Sequence, residues 1–131
     1  MAESAVSGTV ALRTDQNVWP LIEAFRVADR FLIEADIPGM RAEEIIVELM
    51  QDEVVIHGDR RLRTREGDHT YQQERNFGPF QRRVRLPHGV HPQTVRASLD
   101  NGVLRIEFEA KRNASGHGAR ERVEVVQAKP N

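Results

Sequence analysis

LDNGVLRIEFEAK, Leu99–Lys111, is the clearest structural signal in this chain of 131 residues. Asn101-Gly102 is a dipeptide that readily adopts the left-handed backbone of a tight hairpin turn. Beyond it Val103, Leu104, Ile106 and Phe108 are apolar, and Arg105, Glu107 and Glu109 between them are charged. A period of two sends one set to a core and the other to water, the pattern of a half-buried strand. On the near side of the turn, Val95, Ala97 and Leu99 share one face of a shorter strand.

Working outward, Phe31, Ile33 and Ala35 alternate with Leu32, Glu34 and Asp36 until Ile37-Pro38-Gly39 stops the run with turn residues. Arg41 to Glu44 can open a short helix. Ile45, Val47 and Leu49 then alternate with Ile46, Glu48 and Met50, which predicts a strand over about 44–50. After Gln51-Asp52, Val54 and Ile56 take one face and Val55 and His57 the other, so the two runs pair as a hairpin closed at Gly58-Asp59. Phe80 and Arg83–Pro87 predict another strand, followed by a turn over His88–Pro92. About eight strands with hardly any helix predict an all-β fold, an antiparallel sandwich of two sheets. The connection Asp59–Gly78 is dominated by charge and amides. A loop that long in a small domain is uncommon and marks a functional segment or one engaged elsewhere. It holds one short candidate strand, Thr70–Arg75.

A chain of this length builds one core. Hydrophobic residues at 39% exclude a wholly disordered chain, and charged residues at 30% fit a soluble one. Lys and Arg total 19 against 20 Asp and Glu, so the charge of −1 gives no footprint for a nucleic-acid or membrane partner. The absence of cysteine excludes disulfides, thiol catalysis and cysteine-bound zinc. The first seventeen residues, MAESAVSGTVALRTDQN, lack a basic start and a continuous apolar run. They read as neither secretory signal nor membrane span, and a cytoplasmic location is expected.

An enzyme needs a nucleophile, a general base or a metal cluster. Of the five histidines, only His88 and His91 are close in sequence, and they lie beside Pro and Gly without helical spacing or carboxylates. Solvated loop histidines account for them. Glu43 and Glu44 resemble a carboxylate pair, but neighbours in an extended chain face opposite ways. No phosphate-cradling loop is present in the sequence, and no catalytic, cofactor or metal site is expected.

Residues 1–18 read as a flexible N-terminal arm with scattered apolar side chains, 19–111 as the folded domain and 112–131 as a C-terminal extension. Within the extension, Arg112–Glu121 is a Gly/Ser/Ala linker able to span about 15–20 Å as a random coil. Val123 and Val125 then project from the same side of an extended segment. Such a Val-x-Val either adds as a strand to an open sheet edge or groove or completes its own sheet. Periodicity does not separate the two.

Several motifs in order make the region from about Trp19 to Lys111 similar to the small heat-shock proteins, which carry an alpha-crystallin domain. They are Ala35-Asp-Ile-Pro-Gly39, Val54-Val-Ile-His-Gly58, Tyr71 with Glu74-Arg75 and Phe77-Gly-Pro-Phe80, Arg82 to Pro87, and Ala97-Ser-Leu-Asp-Asn-Gly-Val-Leu104. Val123-Glu-Val125 stands where that family has a C-terminal I-x-I motif. The resemblance, to bacterial and plant members in particular, implies an immunoglobulin-like sandwich. It also implies that Val123 and Val125 enter a groove on a neighbouring subunit, lined by Ile45, Val47 and Leu49 and by Val95, Ala97 and Leu99. Thr70, Tyr71, Gln72, Gln73, Glu74 and Arg75 would cross to a partner's sheet as a swapped strand.

The function so implied is an ATP-independent holdase that captures unfolding proteins. Its partners would be unfolding clients and further copies of itself, as a homodimer or higher homo-oligomer. Client contacts would fall on Val6, Val10, Leu12, Val18 and Trp19 and on the groove when the tail lets go. The arm is short and poor in aromatics, unlike many members, which argues for a modest oligomer. The alternative is an adaptor using a related sandwich to dock one defined protein as a monomer.

Overall fold

The computed structural model describes residues 18–61, 69–110 and 121–128. One sheet has the order β1-β2-β7-β6-β9 and contains β1 (Ile22–Val27), β2 (Arg30–Asp36), β6 (Val90–Asp100), β7 (Val103–Ala110) and β9 (Val125–Gln127). The other has the order β5-β4-β3-β8 and contains β3 (Ile45–Met50), β4 (Glu53–Arg60), β5 (Gly78–Arg85) and β8 (Glu121–Val123). A single 3-10 turn, Ala42–Glu44, precedes β3.

The hairpin read from Asn101-Gly102 is present, with φ of 53° and 78° at the two turn residues. Only a residue without a side chain is easily placed at the second, because a Cβ on Gly102 would lie 3.2 Å from Cα of Pro38. The close approach lets the Ile37 N–H donate to the Gly102 carbonyl at 2.7 Å, tying the end of β2 to the turn. In register, Leu99 faces Leu104 and Ala97 faces Ile106 across β6 and β7. Phe31, Ile33 and Ala35 of β2 face Phe108, Ile106 and Leu104. From the second sheet, Ile45, Val47 and Leu49 of β3 and Val54, Ile56 and Val84 join the same core. Two inward faces of period two have met to form an immunoglobulin-like sandwich.

The sandwich is closed on both sides by the chain's extensions. On one side β8 is the edge of one sheet and β9 the edge of the other, so the C-terminal segment changes sheets at Glu124. On the other side Trp19 and the buried Pro20, just before β1, lean on β5.

Four features differ from the sequence reading. β1 was not resolved by periodicity. β6 begins at Val90, so Pro92 lies inside a strand rather than a turn; its ladder to β7 is interrupted between His91 and Arg96, where a proline costs no hydrogen bond. β4 runs to Arg60, past Gly58-Asp59. Thr70–Arg75 forms no strand within this chain: the segment joins neither sheet and is exposed throughout. The N-terminal residues 1–17 and the linker residues 111–120 lie outside the described residues, and with them Val6, Val10, Leu12 and His117.

Candidate functional site

The groove lies between β3 and β6. Ile45, Val47 and Leu49 are buried along β3, and Ala97 and Leu99 along β6. The tail fills it. β8 runs antiparallel to β3, placing Val123 opposite Val47, Arg122 opposite Glu48 and Glu121 opposite Leu49. β9 then runs parallel to β6, with Val125 opposite Ala97 and Gln127 opposite Leu99. Val123 is only 9% exposed and Val125 packs partly buried against the same core. Gln127 Nε2 and the Ala128 N–H both donate to the Leu99 carbonyl, at 3.0 and 2.8 Å. The tail therefore occupies the groove of its own chain and completes both of its own sheets. Burying two valines contributes about 1.5–3 kcal/mol each at most, before the cost of ordering the segment.

The opposite side holds a second constellation. The Trp19 indole meets the Phe80 ring edge-on, with centroids 5.2 Å apart, and Arg82 Nη1 donates to the Pro20 carbonyl. Arg60, at the end of β4, is 8% exposed and is the one buried charged residue among those described. Its guanidinium lies 4.9 Å from the Trp19 ring centroid and 5.2 Å from that of Phe77, and Nη1 donates to the Asn76 carbonyl at 3.0 Å. Burial pushes Arg60 below its ordinary value, and the charge of Arg75 adds to the effect. Arg75 itself stacks on Phe77 at 5.0 Å.

A sandwich whose tail strand seats two alternate valines across both sheet edges can be compared with known proteins. The profile described as Hsp20/alpha crystallin family matches residues 23–126. This chain belongs to that family. Among its relatives, the 17.8 kDa class I heat shock protein of Arabidopsis thaliana is 36% identical over 118 residues, covering 85% of this chain and 72% of the relative. Spore protein SP21 of Stigmatella aurantiaca is 35% identical over 116 residues, 83% of this chain and 69% of that protein. The 23.2 kDa heat shock protein of Oryza sativa is 42% identical over 86 residues, 61% of this chain but only 40% of its own length. Among solved structures, a small heat-shock protein from Xylella fastidiosa superposes with a TM-score of 0.66 at 26% identity, covering 74% of this chain and 90% of that one. The hspA protein from Xanthomonas axonopodis gives 0.65 at 30% identity, over 73% and 96%.

The remaining positions suggested by the family resemblance are dispersed. Val95 is half-buried beside the interrupted part of β6 and lines a surface cleft of about 360 Å³ with Arg30, Thr94, Arg96, Glu107 and Glu109. The paired part of β9 does not reach it, since its register begins at Ala97. Thr94 staples the irregularity: its hydroxyl donates to the His91 carbonyl at 2.7 Å and accepts the Glu109 N–H at 2.8 Å. Tyr71 is 97% exposed, and Gln72 Nε2 donates to Glu74 Oε2 at 2.6 Å. Val18 and Trp19 are partly buried at the root of the arm. His57 meets Glu48 at 3.3 Å across the outer face of β3 and β4. Among the described residues no group of three or more His, Cys, Asp or Glu is placed to hold a metal ion, and no helix is long and apolar enough to cross a membrane.

Arg60 was missed in the sequence, although a signal was there. It falls in phase with Val54 and Ile56, the inward positions of β4, and a charge at an inward position asks for explanation.

Proposed function

We propose that this chain is an ATP-independent holdase, a non-enzymatic chaperone that binds unfolding proteins and keeps them from aggregating. Membership of the Hsp20/alpha crystallin family supports a chaperone role. The observation that carries the finer reading is the groove itself, an apolar channel between two sheet edges covered by a short Val-Glu-Val strand of the same chain. An unfolding protein exposes alternating apolar side chains and unpaired backbone, and such a channel satisfies both when the tail leaves. Tethering keeps the tail at high local concentration, so its exchange is reversible and competes with other segments. The arm supplies further contacts at Val6, Val10, Leu12, Val18 and Trp19. The protein works in the cytoplasm and needs no cofactor.

The working unit is a homodimer or a modest homo-oligomer. β1 is a sheet edge with Leu21 just before it and Val27 at its end, 59% and 55% exposed, which favours a covering strand. Thr70–Arg75, unpaired and exposed in its own chain, supplies that strand to a second copy. In such an assembly the tail can also seat in a neighbour's groove.

Light scattering of a heat-aggregating client, without nucleotide, tests this. Suppressed scattering at near-equal subunit ratio is expected, with an altered dose response when Val123 and Val125 are changed to Ala. No suppression at several-fold excess overturns the holdase reading in favour of an adaptor with one defined partner.

A further inference from the structure

Arg60 sits where two segments distant in sequence come together. Trp19 follows the arm and leads into β1; Asn76 and Phe77 end the long loop and lead into β5. The guanidinium is stacked by both rings and donates to the loop carbonyl. Among the described residues no carboxylate pairs with it, and Trp19 and Phe77 make no ring contact with each other. With no counter-ion among the described residues, the buried guanidinium relies on these ring faces and this carbonyl to offset its desolvation. Cation–π attraction is also stronger when water is excluded. The contacts on either side of Arg60 are therefore interdependent: lifting Trp19 wets the guanidinium and weakens its hold on Phe77 and Asn76, and the reverse is equally true.

We propose that Arg60 is a positioning residue that couples the seating of the Trp19 arm root to the seating of the Asn76-Phe77 loop root. Release of either one loosens the other. The coupling goes beyond the chaperone reading and holds whether or not the chain captures clients. It links the stretch proposed for client contact to the root of the stretch proposed for exchange between subunits, so engagement at the arm is communicated to the loop without any change in the groove.

The full chain provides the readouts. Trp19 is its single tryptophan, so acrylamide quenching of fluorescence reports the arm root alone. Phe77→Leu, which removes no ring contact of Trp19, is expected to raise that quenching toward the value of the urea-unfolded chain. Conversely, Trp19→Leu is expected to speed hydrogen exchange at the amides of residues 75–77 by at least about fivefold, the lower end of coupling between linked sites. In Arg60→Lys, which keeps the charge but lacks the planar faces, adding Trp19→Leu changes exchange at 75–77 by less than about twofold. Unchanged exchange in Trp19→Leu, with the melting curve showing an intact fold, overturns the proposal. So does a full fivefold effect persisting in the Arg60→Lys background. If Arg60→Lys does not fold, the reciprocal pair of single substitutions decides alone.

Discussion

Gly58 shows how tightly single positions are determined. A Cβ there would lie 2.9 Å from the Glu44 carbonyl oxygen and 3.0 Å from Cζ of Phe80. The first is backbone and cannot swing away; the second belongs to the ring that supports Trp19. Gly58→Ala should lower stability by about 1–3 kcal/mol, read as a lower denaturant midpoint, and should shift Trp19 fluorescence at the same time. Thr94 carries a different burden, since its hydroxyl replaces ladder bonds that the interrupted part of β6 does not make. Thr94→Val keeps the shape but leaves the Glu109 N–H without this acceptor, a loss of about 1–3 kcal/mol, to be measured by the same denaturation.

At the level of elements, the strands with one wet and one dry face were legible, because burial imposes a period of two on their sequences. β3 and β7 read this way throughout; β2 and β4 kept the signal on their inward positions although the outward Leu32 and Val55 are also buried, and Asn101-Gly102 marked the central turn. β1 was not, for a physical reason: it is an edge strand, Ala24 on its inward face is exposed and Phe25 on its outward face is half-buried, so neither face is uniform. The tail was legible only in part. Alternation put Val123 and Val125 on one side, but nothing local states that the segment leaves one sheet for the other at Glu124. Valine carries one methylene fewer than isoleucine, about 0.8 kcal/mol per position if fully buried. Val123→Ile with Val125→Ile should therefore slow exchange of the Ala128 amide, which donates to Leu99, and delay thermal release of the tail. Faster exchange or earlier release in the double variant would count against a tail held by its two pockets.

Across the whole molecule, the two sides of the sandwich close differently. The tail side is sealed by two short strands; the arm side is sealed by aromatic and arginine contacts, and among the described residues no strand pairs with the outer edge of β1. Self-association by strand exchange at that edge makes a clear prediction for Gln73, which is exposed within its own chain. Gln73→Pro should leave the stability of the single chain within about 0.5 kcal/mol of its original value, yet shift sedimentation to the monomer, since proline disrupts a ladder. Dimers persisting in Gln73→Pro would place the contact elsewhere.

The tail lies antiparallel to β3 and parallel to β6, so those two edges run in opposite senses past whatever lies between them. A segment threaded from the other end would simply exchange the two bonding patterns, antiparallel on β6 and parallel on β3. Val-Glu-Val also reads identically backwards. The two buried side chains are thus placed alike by either direction of travel; what a reversed segment would lose is the pair of bonds that Gln127 and Ala128 make to the Leu99 carbonyl.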